Sequence, residues 1–147
     1  RRSIALNEFA PLADLPGIHL VSLQKHGTEQ AWTCPPDMTL IDPMADVNDF
    51  AGTAALIANL DLVIAIDTSV AHLAAGMGRP VWLMSRYDGC WRWLHDREDS
   101  PWYPGMRIYR QQRPHDWPAV IARIRNHLAH ATHDFLCSHD RTLFRSA

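Results

Sequence analysis

LVIAIDTSVAHLAAGMGRPVWLM, residues 62–84, decides the fold. Leu62 to Ile66 is a continuous branched apolar run, too short for a buried helix, and it stops at Asp67-Thr68-Ser69, a trio that can cap a helix. At about 100° per residue, Val70, Leu73, Ala74 and Met77 fall on one apolar stripe, with Thr68, Ser69 and His72 on the other side. Gly78 ends this helix and Pro80 opens a second buried strand. The unit therefore reads as strand, polar turn, helix, strand. Its helix N-terminus gathers unpaired amides, two hydroxyls and an imidazole where the helix dipole favours an anion. A nucleotide diphosphate fits that chemistry.

Capped helices after strands are common in α/β proteins, and Ser or Thr at a cap is usually only a cap. His72 adds weight to anion binding, because it lies one turn beyond Thr68 and Ser69 and aims at the same place. Asp67 is a different case. A carboxylate repels a diphosphate, so its expected role is to accept amide N–H bonds that shape the turn.

The rest of the chain bounds the alternatives. With 147 residues, 47% of them hydrophobic, one globular domain with a real core is expected. A net charge of −2, from 14 basic and 16 acidic residues, gives no general attraction to nucleic acid or anionic membrane. Cys34, Cys90 and Cys137 are widely spaced and form no CxxC pair, which argues against a disulfide framework or structural zinc and suits a cytoplasmic setting. No apolar run reaches membrane-spanning length, and no signal-peptide pattern follows Arg1-Arg2-Ser3.

Outward from the central unit, Arg2 to Leu15 reads as a short helix limited by Pro11 and Pro16, and Ile18 to Leu23 as a strand ending in Gln24-Lys25-His26-Gly27. A short strand is expected near Thr39 to Ile41. A helix over Asp49 to Leu60 follows, with Phe50, Ala54, Ile57 and Leu60 on one side. Ser85 to Gly105 is an aromatic, charged, proline-containing loop, Met106 to Tyr109 a last strand, and Asp116-Trp117-Pro118 the start of a helix carrying Val120, Ile121, Ile124 and Leu128. Periodicity fades after Ala131, which divides the chain into a domain over 1–131 and a tail over 132–147.

Strands alternating with helices predict an α/β, Rossmann-like fold, a mostly parallel sheet with helices on both faces. Ligands of such sheets sit beyond the carboxyl ends of the strands. Gln24-Lys25 and Asp67-Thr68-Ser69 both occupy such ends, so one crevice could see both.

SLQKHG (22–27), residues 49–82, WRWLHDREDSPWYPGMRIYRQ (91–111) and DWPAVIARI (116–124) together resemble glycosyltransferase family nine, the heptosyltransferase-like family that includes ADP-heptose:lipopolysaccharide heptosyltransferases, in its tetratricopeptide-associated branch. The likeness covers most of residues 3–129 in matching order. It implies the C-terminal, nucleotide-sugar-binding half of a two-domain GT-B enzyme. In that family a D-T-x-x-x-H turn holds the donor diphosphate, which carries over to Thr68, Ser69 and His72 with Asp67 at its base. The donor-binding set expected from residues and resemblance together is Gln24, Lys25, Asp67, Thr68, Ser69 and His72. Lys25 is either a phosphate partner or a solvated loop lysine, and Gln24 is a candidate for the base or ribose.

This chain departs from the family at Ser69, usually Gly, and at Gly52, usually acidic, which implies a looser helix start. The family pattern also places a strand and a basic loop before Arg1. Its absence implies that the donor domain works with a missing N-terminal or tetratricopeptide region, and that a bare sheet edge could pair two copies. Acceptor and general base belong mainly to the N-terminal domain in these inverting enzymes, so no catalytic residue is assigned. The implied reaction transfers a sugar to a glycan, lipopolysaccharide or protein. No metal or other cofactor is expected beyond the nucleotide-sugar donor, since one Asp in the turn is too little for a dedicated site.

Trp91-Arg92-Trp93 can close over the donor sugar or pack in the core. His127, His130, His133, His139 and Cys137 match no metal spacing and read as surface residues. The competing function is a non-catalytic Rossmann-like scaffold that binds protein. A dinucleotide or methyl-donor enzyme is disfavoured by the lack of GxGxxG after a strand.

Overall fold

A computed structural model describes residues 4–25, 34–36 and 38–138, with 133–138 as helix alone. In chain order, a 3-10 turn (Leu6–Phe9) runs into α1 (Ala10–Ala13), followed by β1 (Leu20–Val21), β2 (Leu40–Ile41) and α2 (Phe50–Ala58). Then come β3 (Val63–Ile66), α3 (Ser69–Gly76), β4 (Val81–Ser85), a second 3-10 turn (Trp91–Trp93), β5 (Met106–Arg110) and α4 (Trp117–Ser138). All pairings of these strands are parallel, in a two-stranded piece β1-β2 and a three-stranded piece β3-β4-β5. The expected α/β class is thus present, with its parallel strands divided between two sheets.

Period-two alternation sorts the side chains of the larger sheet into two cores. Val63 of β3, Val81 and Leu83 of β4, and Met106 and Ile108 of β5 pack with Ile57 of α2 and with Ala71, Ala74 and Ala75 of α3. Met84 and Tyr109 point the other way, into a cluster with Leu12, Leu15 and α4 residues Trp117, Val120, Ile121, Ile124 and Leu128. Helices therefore cover both faces, which is why β3 and β4 read as unbroken apolar runs.

Local chemistry explains where the elements start and stop. Asp49 caps α2 by accepting from the Gly52 amide at 2.8 Å, so the helix start is capped rather than loose. A Cβ at Gly52 would lie 3.1 Å from Val47 Cγ1; glycine lets that valine close on the first turn. At the other end of the central unit, Gly78 adopts φ +72°, its amide bonds to Ala75 O and the Arg79 amide to Ala74 O. This left-handed cap satisfies the last carbonyls of α3 and reverses the chain into β4.

Four expectations change in detail. The single N-terminal helix is a 3-10 turn plus one α-helical turn, with Pro11 at its start. β1 is shorter than Ile18 to Leu23, because the Gln24 amide turns back to the Ser22 hydroxyl at 3.2 Å instead of continuing the ladder. The buried face of α3 is Ala71, Ala74 and Ala75, with Met77 exposed. Alanines let the helix lie close on the sheet, and the longer Val70 and Leu73 pack at the margin. In α2, Phe50 is exposed while Thr53 and Ile57 face inward.

α4 continues past Ala131 to Ser138. The Thr132 hydroxyl donates to Leu128 O at 2.9 Å and Ala129 O at 3.1 Å, so it stays within the helical turn. The chain beyond Ser138 lies outside the described residues.

Tyr109 and His127 couple β5 to α4 through a 2.8 Å hydrogen bond. Burial pushes the Tyr109 phenol up to about 12, against the opposing pull of the Arg107 charge, and burial together with Arg107 lowers His127. The neutral imidazole accepts and the neutral phenol donates. Below pH about 6.5 the unfolded chain takes up the His127 proton before the folded one does, so stability falls as pH drops. Above pH about 10 the unfolded chain loses the Tyr109 proton first, so stability falls as pH rises. Urea unfolding from pH 5 to 11 is expected to show both limbs. His127→Asn should flatten the acid limb and Tyr109→Phe the alkaline one; unchanged slopes would show that this pair is not titrating differently on folding.

Candidate functional site

The carboxyl ends of β3, β4 and β5 lie side by side, and the residues that follow each strand form the candidate site. After β3 comes Asp67-Thr68-Ser69, the turn into α3. Thr68 is the N-cap by backbone geometry, with φ −138° and ψ 170°, yet its hydroxyl donates back to Ile66 O at 3.3 Å instead of capping the helix. Among the described residues the amides of Ser69 and Val70 meet no acceptor, while those of Ala71 and His72 already bond to Thr68 O. Ser69 is exposed. The turn therefore presents free N–H groups and a serine hydroxyl to solvent at the positive end of α3.

His72 is held on three sides. Its Nδ1 lies 3.0 Å from the Tyr103 hydroxyl, its ring stacks on Trp93 at 5.3 Å between centroids, and Nε2 lies 3.6 Å from Asp67 Oδ1. The Tyr103 hydroxyl and His72 Nδ1 share this hydrogen bond, and Nε2 is the ring nitrogen left facing the turn. At 3.6 Å the Asp67 carboxylate lies beyond hydrogen-bond distance of Nε2. The side chain is one-third exposed, turned neither into the core nor fully into water.

The segment after β4 adds a second wall. A cavity of about 140 Å³ opens beyond the strand ends, lined by Ile66, Asp67, Met84, Ser85, Arg86, Gly89 and Cys90. Arg86 pairs with Asp88 at 3.5 Å. From the end of β5, Arg110 Nη1 donates to Ser85 Oγ at 3.3 Å, and Nη2 donates to Trp93 O and to Leu94 O. Gly89 sits under this guanidinium; a Cβ there would come within 2.5 Å of both Arg110 Nη1 and Ser85 Oγ.

The structure thus brings Asp67, Thr68, Ser69 and His72 together as one turn, with Asp67 facing both His72 and the cavity. It does not bring Gln24 or Lys25 into contact with them. Gln24 Nε2 donates to Lys25 O at 3.1 Å, and Lys25 Nζ donates to Met44 O and Val47 O, tying the loop before α2 to the end of β1. His26 and Gly27 of the SLQKHG motif lie outside the described residues. In Trp91-Arg92-Trp93 the two readings separate: Trp93 is fully buried and Trp91 is 69% exposed.

Sequence reasoning missed Tyr103, Arg86 and Arg110. The position of Ser85-Arg86 immediately after a buried strand was the available signal for Arg86. Tyr103 meets His72 across 31 residues, a contact that no local pattern announces. Of the histidine cluster, His127 bonds Tyr109 and His130 Nδ1 meets Asn126 O at 2.6 Å; the side chains of His133, Cys137 and His139 lie outside the described residues. Among the described residues no group of three His, Cys, Asp or Glu is placed to hold a metal ion, and no helix is long and apolar enough to cross a membrane.

Residues 29–83 match the sequence model of glycosyltransferase family 9 (heptosyltransferase), a stretch that includes α2, β3, the Asp67–His72 turn and most of β4. This supports a glycosyltransferase-like function. The chain is also similar to Protein FlbA of Caulobacter vibrioides, with 28% identity over 139 residues, 88% of this chain and 22% of that protein. It therefore spans about a fifth of the length of that relative. No solved structure matches.

Proposed function

We propose that this chain is the donor-binding domain of a sugar transferase, and that the Asp67–His72 turn holds the diphosphate of a nucleotide sugar. The observation that carries this reading is the convergence of the open Ser69 and Val70 amides, the Ser69 hydroxyl and the His72 imidazole at one helix N-terminus. The match to glycosyltransferase family 9 over the same residues supports it.

Sugar transfer with inversion needs three things: a base that takes the acceptor hydroxyl proton, attack of that oxygen on the anomeric carbon, and stabilisation of the departing nucleoside diphosphate. The third falls to this chain. As the glycosidic oxygen leaves, negative charge accumulates on the diphosphate. Amides and an imidazole already oriented by Tyr103 and Trp93 meet that charge without reorganisation. The base and the acceptor, whether glycan, lipopolysaccharide or protein, belong to other parts of a larger assembly in this reading.

Isothermal titration with ADP, UDP and GDP tests it. At least one nucleotide is expected to bind saturably. Thr68→Ala combined with His72→Ala should weaken that binding about tenfold or more, the loss of roughly one charge-assisted hydrogen bond. A folded chain that gives no heat with any of the three would overturn the proposal. Lys25, engaged by Met44 and Val47 carbonyls, favours a second reading in which this edge is structural and the domain a protein-binding scaffold. In that case the double variant leaves partner binding intact and nucleotides are not bound at all.

A further inference from the structure

We propose that Tyr103 is the positioning residue of the Asp67–His72 turn: its phenol O–H donates to His72 Nδ1, which places the one proton of the neutral imidazole on Nε2, towards the turn. The inference rests on the donor-binding reading above and gives control of the turn's imidazole to a residue from another segment.

A neutral imidazole has one donor and one acceptor nitrogen, and which is which follows from what each of them faces. His72 meets two groups with different demands. At Nδ1 stands the Tyr103 hydroxyl, 3.0 Å away, a group that can either donate or accept. At Nε2 stands the Asp67 carboxylate, with Oδ1 3.6 Å away, a group that only accepts when ionised. A lone pair on Nε2 would be turned on that negative oxygen, whereas an N–H is drawn towards it. Only with the phenol donating to Nδ1 do both ends of the ring match their neighbours.

The ring is also held in place. Trp93 stacks on it, with planes 23° apart, and Tyr103 meets it edge-on, at 61° and 5.8 Å between centroids. Both residues belong to the connection between β4 and β5, and they lie 6.5 Å apart, centroid to centroid. The Met106 amide bonds to Tyr103 O at 3.0 Å, which ties this residue to the start of β5. The angle of the imidazole is therefore set from the β4–β5 connection.

Tyr103 packs against the core as a partly buried side chain, and phenylalanine would serve that purpose as well. The hydroxyl is what needs a further reason. Among the described residues its hydrogen-bond partner is His72 Nδ1.

The test uses the full chain, Tyr103→Phe, His72→Ala and the double variant, each first shown by circular dichroism to be folded. Imidazole nitrogen NMR spectra are recorded at a pH of about 8, where imidazoles are ordinarily neutral. In the parent chain His72 is expected to carry its proton on Nε2. Tyr103→Phe should move the Nδ1 resonance, because the ring packing stays and only the donor goes. A proton on Nδ1 in the parent, or an Nδ1 resonance that ignores the loss of the hydroxyl, overturns this inference and leaves the donor-binding reading untouched.

Isothermal titration with ADP, UDP and GDP supplies the second readout. Tyr103→Phe should weaken the nucleotide that binds by about fivefold, the scale of one lost hydrogen bond, and should cost nothing further once His72 is replaced by alanine. No loss in Tyr103→Phe, or the same loss in the His72→Ala background, overturns the positioning role, since a residue that acts only by packing does not depend on His72. Failure of the parent chain to bind any of the three nucleotides overturns the donor-binding reading and the role given to Tyr103 with it. If Tyr103→Phe does not fold, the parent spectrum still decides which nitrogen bears the proton.

Discussion

Trp93→Ala is expected to destabilise the domain by about 3–5 kcal/mol, the usual cost of emptying a buried indole site. Trp93 has no exposed surface and packs with α3, β4 and β5 in the core that supports the Asp67–His72 turn. A loss of that size is a large share of the roughly 5–15 kcal/mol that holds an ordinary domain together. It also removes the platform under His72, whose ring lies nearly parallel to the indole, at 23°. Nucleotide affinity should therefore fall along with stability. Trp93→Phe separates the two effects. The buried Nε1 of Trp93 has no partner among the described residues, so phenylalanine gives up packing volume but also removes an unsatisfied donor. Urea unfolding should place Trp93→Phe within about 1.5 kcal/mol of the parent chain. An alanine variant that loses less than about 1 kcal/mol would show that this indole is not a core residue.

Arg110→Ala should cost about 2–3 kcal/mol. One guanidinium bonds the Ser85 hydroxyl and the carbonyls of Trp93 and Leu94, joining the ends of β4 and β5 to the second 3-10 turn. Leu94 has φ +48°, a left-handed conformation that a leucine holds only when its neighbours enforce it. Without Arg110 the carbonyls lose a charged donor and the turn loses its anchor. Amide hydrogen exchange over residues 85–95 should then accelerate while the amides of β3 stay protected. Methionine at 110 keeps much of the stem but not the donors; equal stability of the methionine variant and the parent would mean that the hydrogen bonds contribute nothing.

The parts of this molecule that sequence reveals are those governed by near neighbours. Leu62–Met84 reads correctly as strand, turn, helix and strand because its apolar runs, its polar turn at Asp67-Thr68-Ser69 and its Gly78 stop all act within a few residues. β5 is legible for the same reason. The face of α3 is not, since hydrophobicity points to Val70 and Met77 while the sheet selects the small Ala71 and Ala75 that allow close approach. Phe50 is similar: its spacing suits burial, but the inner positions of α2 fall to Thr53 and Ile57. Within the site, Asp67, Thr68, Ser69 and His72 share one turn and can be found as a motif. Tyr103, Arg86 and Arg110 come from three other segments, and only the parallel register of β3, β4 and β5 brings their strand ends level. Lys25 shows another contact that only folding supplies. A lysine at a strand end is a natural phosphate partner, yet here carbonyls of a neighbouring loop occupy it.

The loop before β5 has an effect beyond the site it helps to build. The Glu98 carbonyl accepts from the Ile108 amide at 2.6 Å, Asp99 bridges antiparallel to Arg107, and the Glu98 carboxylate holds Arg107 and Arg123. The chain thereby hems its own outer strand. A foreign strand arriving at that margin would have to break two ion pairs and a backbone bond before it could zip on, so fibril-like stacking through β5 is guarded against by residues otherwise remote from any chemistry.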